Sequence, residues 1–211
     1  MLGTFSLTCA DRQISCSSNR AKLIWNILAY LLCHRGEFVS TEELISIIWK
    51  QEKNDNPTGA VRTAIHRARS MLSDLSQDAS IQFLISKNGG YIWNPDIPMT
   101  VDIDEFEQLA ARAEEREDDP EACLAALELY AGKFLPMQSS EIWVMPIQTY
   151  YHNLYESLIH RVIPALEQDD RRTGIEICRR ALQIDPYSEK IYQYLMRFLP
   201  VADECQEVVR V

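Results

Sequence analysis

The sequence predicts a mainly α-helical protein with a little β structure, built as two modules. Three observations predict it. A run of three helix signals followed by a glycine-turned hairpin fills residues 1–98. A proline-bracketed linker, Asn94 to Thr100, follows. Amphipathic helical segments then occupy residues 99–211.

The first helix signal is Ala21 to His34, strongly apolar and closed by Gly36. Before it, Thr4 to Leu7 and Gln13 to Cys16 read as short strands around a turn at Asp11-Arg12. The second helix opens at the capping box Ser40-Thr41-Glu42-Glu43, in which Glu43 is expected to reach back to the N-cap amide. It runs through Ile48 and Trp49, and the polar turn Lys50 to Asn56 leads onward. The third helix is Asn56 to Leu75. Asn56 is the N-cap and Pro57 stands at the first helical position, where the missing N–H costs nothing. Val61, Ile65, Ala68 and Leu72 make one apolar stripe. Arg62, Thr63, His66, Arg67, Arg69 and Ser70 fall outside it. Ile85 to Trp93 follows as a hairpin turning at Asn88-Gly89-Gly90.

In the second module Asp102 is the expected N-cap of a helix with Phe106, Leu109 and Ala110 on its apolar face. Asp119-Pro120 opens the next helix. Pro146 to Glu167 forms a longer one with Pro164 inside it, and Thr173–Ile184 and Tyr187–Leu199 flank Asp185-Pro186. The expectation is a stack of about six helices, paired as in tetratricopeptide repeats. Trp143, Tyr150, Tyr151, Tyr155, Tyr192 and Tyr194 are read as packing between helices, with a ligand pocket as the competing reading.

Charge divides the chain. Residues 1–98 hold ten Lys and Arg against nine Asp and Glu, whereas residues 99–211 hold eleven against twenty-two, so the net −10 belongs to the second module. Between Arg62 and Arg69 stand three arginines and no acid, which leaves the local field positive. A nearly neutral domain has weak nonspecific affinity for a polyanion, so each phosphate contact counts and binding falls with salt.

Residues 1–98 resemble the OmpR-type winged-helix DNA-binding domain. Gly36–Trp49 is similar to the family's second-helix segment, and Ala60–Leu72 to its recognition helix with Arg67, Arg69 and Leu72. Gly90-Tyr91 is similar to the end of its wing. From Val101 onward, the stretches Val101–Glu114, Ala126–Pro136 and Ala181–Arg197 resemble the bacterial transcriptional activator domain of SARP-type regulators. The resemblance implies a cytoplasmic, sequence-specific DNA-binding transcription regulator, an activator, with double-stranded DNA as its partner. Arg62, His66 and Arg69 are the candidates for base edges or nearby phosphates. Thr63, Arg67 and Ser70 are candidates for the backbone, and Lys87, Asn88 and Tyr91 for the wing's contact with the neighbouring groove. RNA polymerase is the implied partner of the Lys50–Asn56 turn, and a homodimer on adjacent sites is expected. Two departures from the family pattern stand out. Lys87 lies near a position often held by arginine, and Ala68 replaces a larger apolar residue, which predicts a looser seat for the helix. The family continues with a further helix past ECQEVVRV, so the chain is expected to be cut there.

Other classes carry less. A protein-interaction adaptor whose winged helix does not bind DNA is the alternative, and the charge of residues 1–98 is compatible with it. A helical-module sensor or enzyme is a third. The sequence holds no Gly-x-Ser-x-Gly, phosphate-binding glycine loop or His-Glu-x-x-His, so no catalytic residues, cofactor or metal are expected. Glu114–Glu121 reads as a solvated charge run. His152 and His160 are expected to lack a carboxylate at ligand spacing, and His34 to meet a helix C-terminus. The six cysteines are scattered and read as reduced thiols, with a Cys9–Cys16 approach across the hairpin as the one redox hypothesis. No run reaches membrane-spanning length, and Met1–Gln13 lacks the features of a signal peptide.

Overall fold

The computed structural model describes residues 1–16, 21–48, 55–115 and 120–199. Trp49, the Lys50–Asn54 part of the polar turn, residues 116–119 of the charge run, Cys205 and the ECQEVVRV segment lie outside the described residues. The chain forms two compact units. One comprises Met1, Gly3–Thr100 and Leu135–Ile147, the other Leu2, Val101–Phe134 and Gln148–Val211. Leu135–Ile147, which the sequence division places in the second module, clusters by its contacts with the first unit.

In the first unit, strands β1 (Ser6–Cys9) and β2 (Arg12–Ser15) pair antiparallel. The expected strands are shifted along the chain, because the turn falls at Ala10-Asp11 with Ala10 at φ 49°. Cys9 faces Arg12, while the Cys16 amide bonds the Phe5 carbonyl, so the two cysteines sit at opposite ends of the hairpin and the expected approach does not occur. Helices α1 (Lys22–Cys33), α2 (Thr41–Ile48) and α3 (Pro57–Ser76) follow. Both α1 and α2 pack on α3. Trp25, Leu28, Leu31, Leu44, Val61, Ile65 and Leu72 form the shared core, each nearly inaccessible, as periodic apolar stripes require. His34 meets the end of α1, its Nδ1 lying 2.9 Å from the Tyr30 carbonyl.

The capping box is half realised. Ser40 Oγ accepts from the Glu43 amide at 3.0 Å. The Glu43 carboxylate, however, accepts from the Tyr30 hydroxyl at 2.6 Å instead of folding back. Burial together with that carboxylate raises the Tyr30 phenol above its ordinary range.

A three-stranded sheet completes the unit: β4 (Leu84–Lys87), β5 (Gly90–Trp93) and the two-residue β3 (Val39–Ser40), in the order β3-β5-β4. The sequence reading had no β3, since two residues carry no alternation. Gly90 explains why that strand sits so near. A Cβ there would stand 2.4 Å from the Val39 carbonyl oxygen, so any larger residue would push β3 off the sheet.

Leu135–Ile147 lies against α1. Gln138 is fully buried and donates to Cys16 Sγ at 3.4 Å. Glu141 accepts from Asn26 Nδ2 at 3.0 Å and pairs with Lys22 at 3.5 Å. Trp143 meets the edge of the Tyr30 ring, centroids 5.1 Å apart.

The second unit contains five α-helices among the described residues: α4 (Asp102–Glu115), α5 (Pro120–Leu129), α6 (Val144–Asp169, its first residues in the first unit), α7 (Arg171–Ile184) and α8 (Glu189–Phe198). Helices α4 and α5 pack together, as do α7 and α8. Asp102 is the first helical residue rather than the cap. One of its carboxylate oxygens accepts the Leu2 amide at 2.7 Å. Asp170 caps α7 by accepting from the Thr173 amide and hydroxyl, contacts that hold its carboxyl below the usual range. The core is aromatic: Tyr130 and Tyr155 stack at 4.2 Å, Phe106 packs on Tyr130, and Tyr151 links Phe106 to Phe134. Tyr150 lies outside that core, 52 % exposed. Burial pushes the Cys178 thiol up to about 12, the state of an unreactive core cysteine.

Gly174 sets how closely α7 and α8 approach. A Cβ there would lie 2.3 Å from Cζ of Phe198, a ring that is 1 % exposed and has nowhere to go. Gly174→Ala is therefore expected to destabilise the chain by about 1–3 kcal/mol, despite alanine's better helix propensity. Thermal unfolding checks it: the melting temperature falls, and Phe198→Leu placed on the Gly174→Ala background recovers part of the loss.

Candidate nucleic-acid interface

Helix α3 begins where Asn56 Oδ1 accepts the Gly59 amide at 2.9 Å and Pro57 supplies the first turn. It ends at Gln77, which is left-handed with φ 57°. Its buried stripe is Val61, Ala64, Ile65, Ala68, Leu72 and Leu75. Ala68 is wholly inaccessible, so the small residue leaves the helix seated on its core. Arg62, Thr63, His66, Arg67, Arg69 and Ser70 are all exposed.

These six divide by what they already touch. Arg62, His66 and Arg67 make no hydrogen bond or ion pair among the described residues, and their side chains face solvent. Ser70 is likewise exposed and free. The Thr63 hydroxyl donates to the Gly59 carbonyl at 2.9 Å, which leaves its lone pairs available. Arg69 differs. Its Nε and Nη2 both donate to the Leu84 carbonyl, at 3.0 and 2.8 Å, and Nη2 also reaches Ser86 Oγ at 2.8 Å. That guanidinium ties α3 to β4 and walls a groove of 420 Å³ shared with Ser73, Phe83 and Ser86. It is a strut between helix and wing, not a free arginine like its neighbours. Arg69→Ala is expected to cost about 1–3 kcal/mol of folding stability by stripping the Leu84 carbonyl of both donors, whereas Arg62→Ala leaves stability unchanged. Urea denaturation of the two variants separates these outcomes.

The wing turns through two residues. Asn88 and Gly89 have φ 45° and 83°, and Lys87 pairs with Gly90, the arrangement of a tight hairpin whose twist suits its strands. Lys87 and Asn88 are exposed at this tip. The tip is anchored to α2, because the Gly89 carbonyl accepts from the Thr41 amide at 3.1 Å and the Thr41 hydroxyl at 2.6 Å. Tyr91 differs from Lys87 and Asn88: it is 7 % exposed and pairs between Val39 and Ser86 in the sheet, so little of its side chain is open to a partner.

Sequence reasoning missed Ser86 and Thr41, whose partners lie 17 and 48 residues away. It also missed Phe38, 48 % exposed, whose ring occupies the space that Gly90 leaves open. None of the three bears a periodic or compositional signal. Elsewhere, His152 does have a carboxylate one helical turn on, Glu156, contrary to the expectation for that helix.

Three helices closed by a tethered hairpin, followed by paired helices, define a fold class: a winged helix-turn-helix with a helical module. Comparison with known families agrees. Residues 19–93 match the family described as transcriptional regulatory protein, C terminal. Residues 101–210 match the bacterial transcriptional activator domain. The chain belongs to that activator-domain family, in the two-module order of the SARP-type regulators. Among solved structures it resembles EmbR of Mycobacterium tuberculosis, determined in complex with a low-affinity phosphopeptide, with a TM-score of 0.69 and 18 % identity. The alignment covers 99 % of this chain and 56 % of EmbR, so the chain spans little more than half of that relative's length. No curated protein matches it. Among the described residues, no helix is long and apolar enough to cross a membrane.

Proposed function

We propose that the chain is a sequence-specific DNA-binding regulator, an activator acting in the cytoplasm, that lays α3 in the major groove and rests its wing on the adjacent backbone. One observation carries the reading: Arg62, His66 and Arg67 stand exposed on one helix with no hydrogen-bond or ion-pair partner among the described residues. In this reading Arg62 and His66 meet base edges or nearby phosphates, while Arg67, Thr63 and Ser70 hold the backbone. Lys87 and Asn88 reach the neighbouring strand. Arg69 and Tyr91 act from behind, one by fixing the wing to the helix and the other by filling the sheet's inner face. Lysine at the wing tip offers a point charge without a planar fork, which favours phosphate contact over insertion into a groove. The Lys50–Asn56 turn is the proposed contact for RNA polymerase, and a pair of chains on adjacent half-sites would offset the weak charge of the first module.

Titration of the whole chain against labelled fragments of its own upstream DNA tests this. Binding is expected to favour one fragment and to weaken steeply between about 50 and 200 mM salt. Equal and negligible binding to every fragment at low salt would leave the adaptor reading in its place.

A further inference from the structure

Within the second unit, one cluster has the composition and spacing of a ligand set. His152 and Glu156 lie one turn apart on α6 and share a face. Asp185 is the C-cap of α7. Its Oδ1 accepts from the Tyr187 amide at 3.1 Å, which fixes the carboxylate. Its Oδ2 lies 3.7 Å from His152 Nε2, and Glu156 Oε1 lies 3.8 Å from the same nitrogen. One donor atom from each residue falls within 4.8 Å of the other two.

Those separations are too long for hydrogen bonds. The other ring nitrogen, His152 Nδ1, is buried without a hydrogen-bond partner. On the other edge of the ring, Nε2 is flanked by two carboxylates, neither within hydrogen-bonding distance of it. Three atoms so placed have a common point no more than about 2.4 Å from each, a few tenths of an ångström beyond zinc–imidazole and zinc–carboxylate bonds. The three side chains are 27–33 % exposed, so small rotations close that gap and the remaining coordination positions face water.

We propose that His152, Glu156 and Asp185 bind a divalent first-row transition ion. One imidazole with two carboxylates suits zinc, nickel or iron(II), and the nitrogen ligand argues against calcium or magnesium. The bound ion replaces two long contacts with three short bonds and fastens α6 to the turn between α7 and α8. The helical module then becomes a part of the chain whose rigidity depends on metal supply, independently of any contact with DNA.

The test uses the whole chain stripped with chelator and titrated with zinc chloride, followed by calorimetry and thermal unfolding. One ion per chain and a melting temperature that rises with zinc are expected. Glu156→Gln and Asp185→Asn should each weaken binding about tenfold or more, and His152→Asn should abolish the thermal shift. The asparagine at 185 retains an oxygen for the Tyr187 amide, so circular dichroism of that variant should match the parent. His160→Asn, on the same helix but outside the cluster, should bind like the parent. The proposal is overturned if the parent takes up no zinc at millimolar concentration, or if the three variants bind as it does, as they would with the ion on thiols.

Discussion

Replacing Arg62 and Arg67 together by alanine will abolish measurable DNA binding while leaving the fold untouched. Each arginine is exposed and makes no bond within the described residues, so its removal strands no buried partner. Loss of a bidentate base contact costs about 1–3 kcal/mol, and loss of a phosphate contact weakens binding across all sequences and flattens the salt dependence by about one unit of slope. The two variants therefore separate the roles. Arg62→Ala should lower the preference for the favoured fragment over a scrambled one. Arg67→Ala should lower both affinities together. Because the first module carries almost no net positive charge, no broad basic field compensates for either loss. Fluorescence anisotropy at two salt concentrations, with circular dichroism and melting curves alongside, reads both effects. Unchanged affinity in the double variant would remove α3 from the interface.

The contrast with Arg69 marks how much of this site was legible in the sequence. Helical periodicity alone put six polar residues of α3 on the surface, because Val61, Ile65, Ala68 and Leu72 leave them no other place. The Asn-Gly hairpin was legible for a similar reason, since both residues tolerate positive φ. Periodicity does not report what a long side chain does after it leaves the helix. Arg69 crosses to Leu84, fifteen residues on, and no local pattern encodes that contact. Tyr91 shows a second limit: its burial at 7 % follows from its place in a sheet whose partner strand β3 has only two residues and leaves no pattern in the sequence. Likewise the histidine–carboxylate spacing on α6 was open to inspection, but Asp185 joins it only through the return of α7.

Long-range packing also conceals the role of Leu135–Ile147, and Trp143→Ala should expose it. This segment is separated by more than one hundred residues from α1, yet it supplies Gln138, Glu141 and Trp143 to the first unit. Trp143 packs edge-on against Tyr30, which is 8 % exposed and holds Glu43 at the start of α2. Removing the indole opens a space beside that ring. Full burial would make the cost about 3–5 kcal/mol, and a half-buried indole should lose about 2–3. Ile142→Ala is the control, since Ile142 is 65 % exposed and should cost little. Urea denaturation followed by near-ultraviolet circular dichroism measures both. The same logic predicts that a fragment ending at Thr100 unfolds at lower urea than the first unit of the whole chain, because Asn26 and Cys16 lose their partners. A fragment as stable as the parent, with Trp143→Ala no worse than Ile142→Ala, would mean that α1 is complete without the later segment. If the losses appear, the helix that supports α3 is itself supported by residues that the chain places between two stretches of its helical module. A change at Leu135–Ile147 then reaches α3, the proposed recognition helix, through α1 by packing alone.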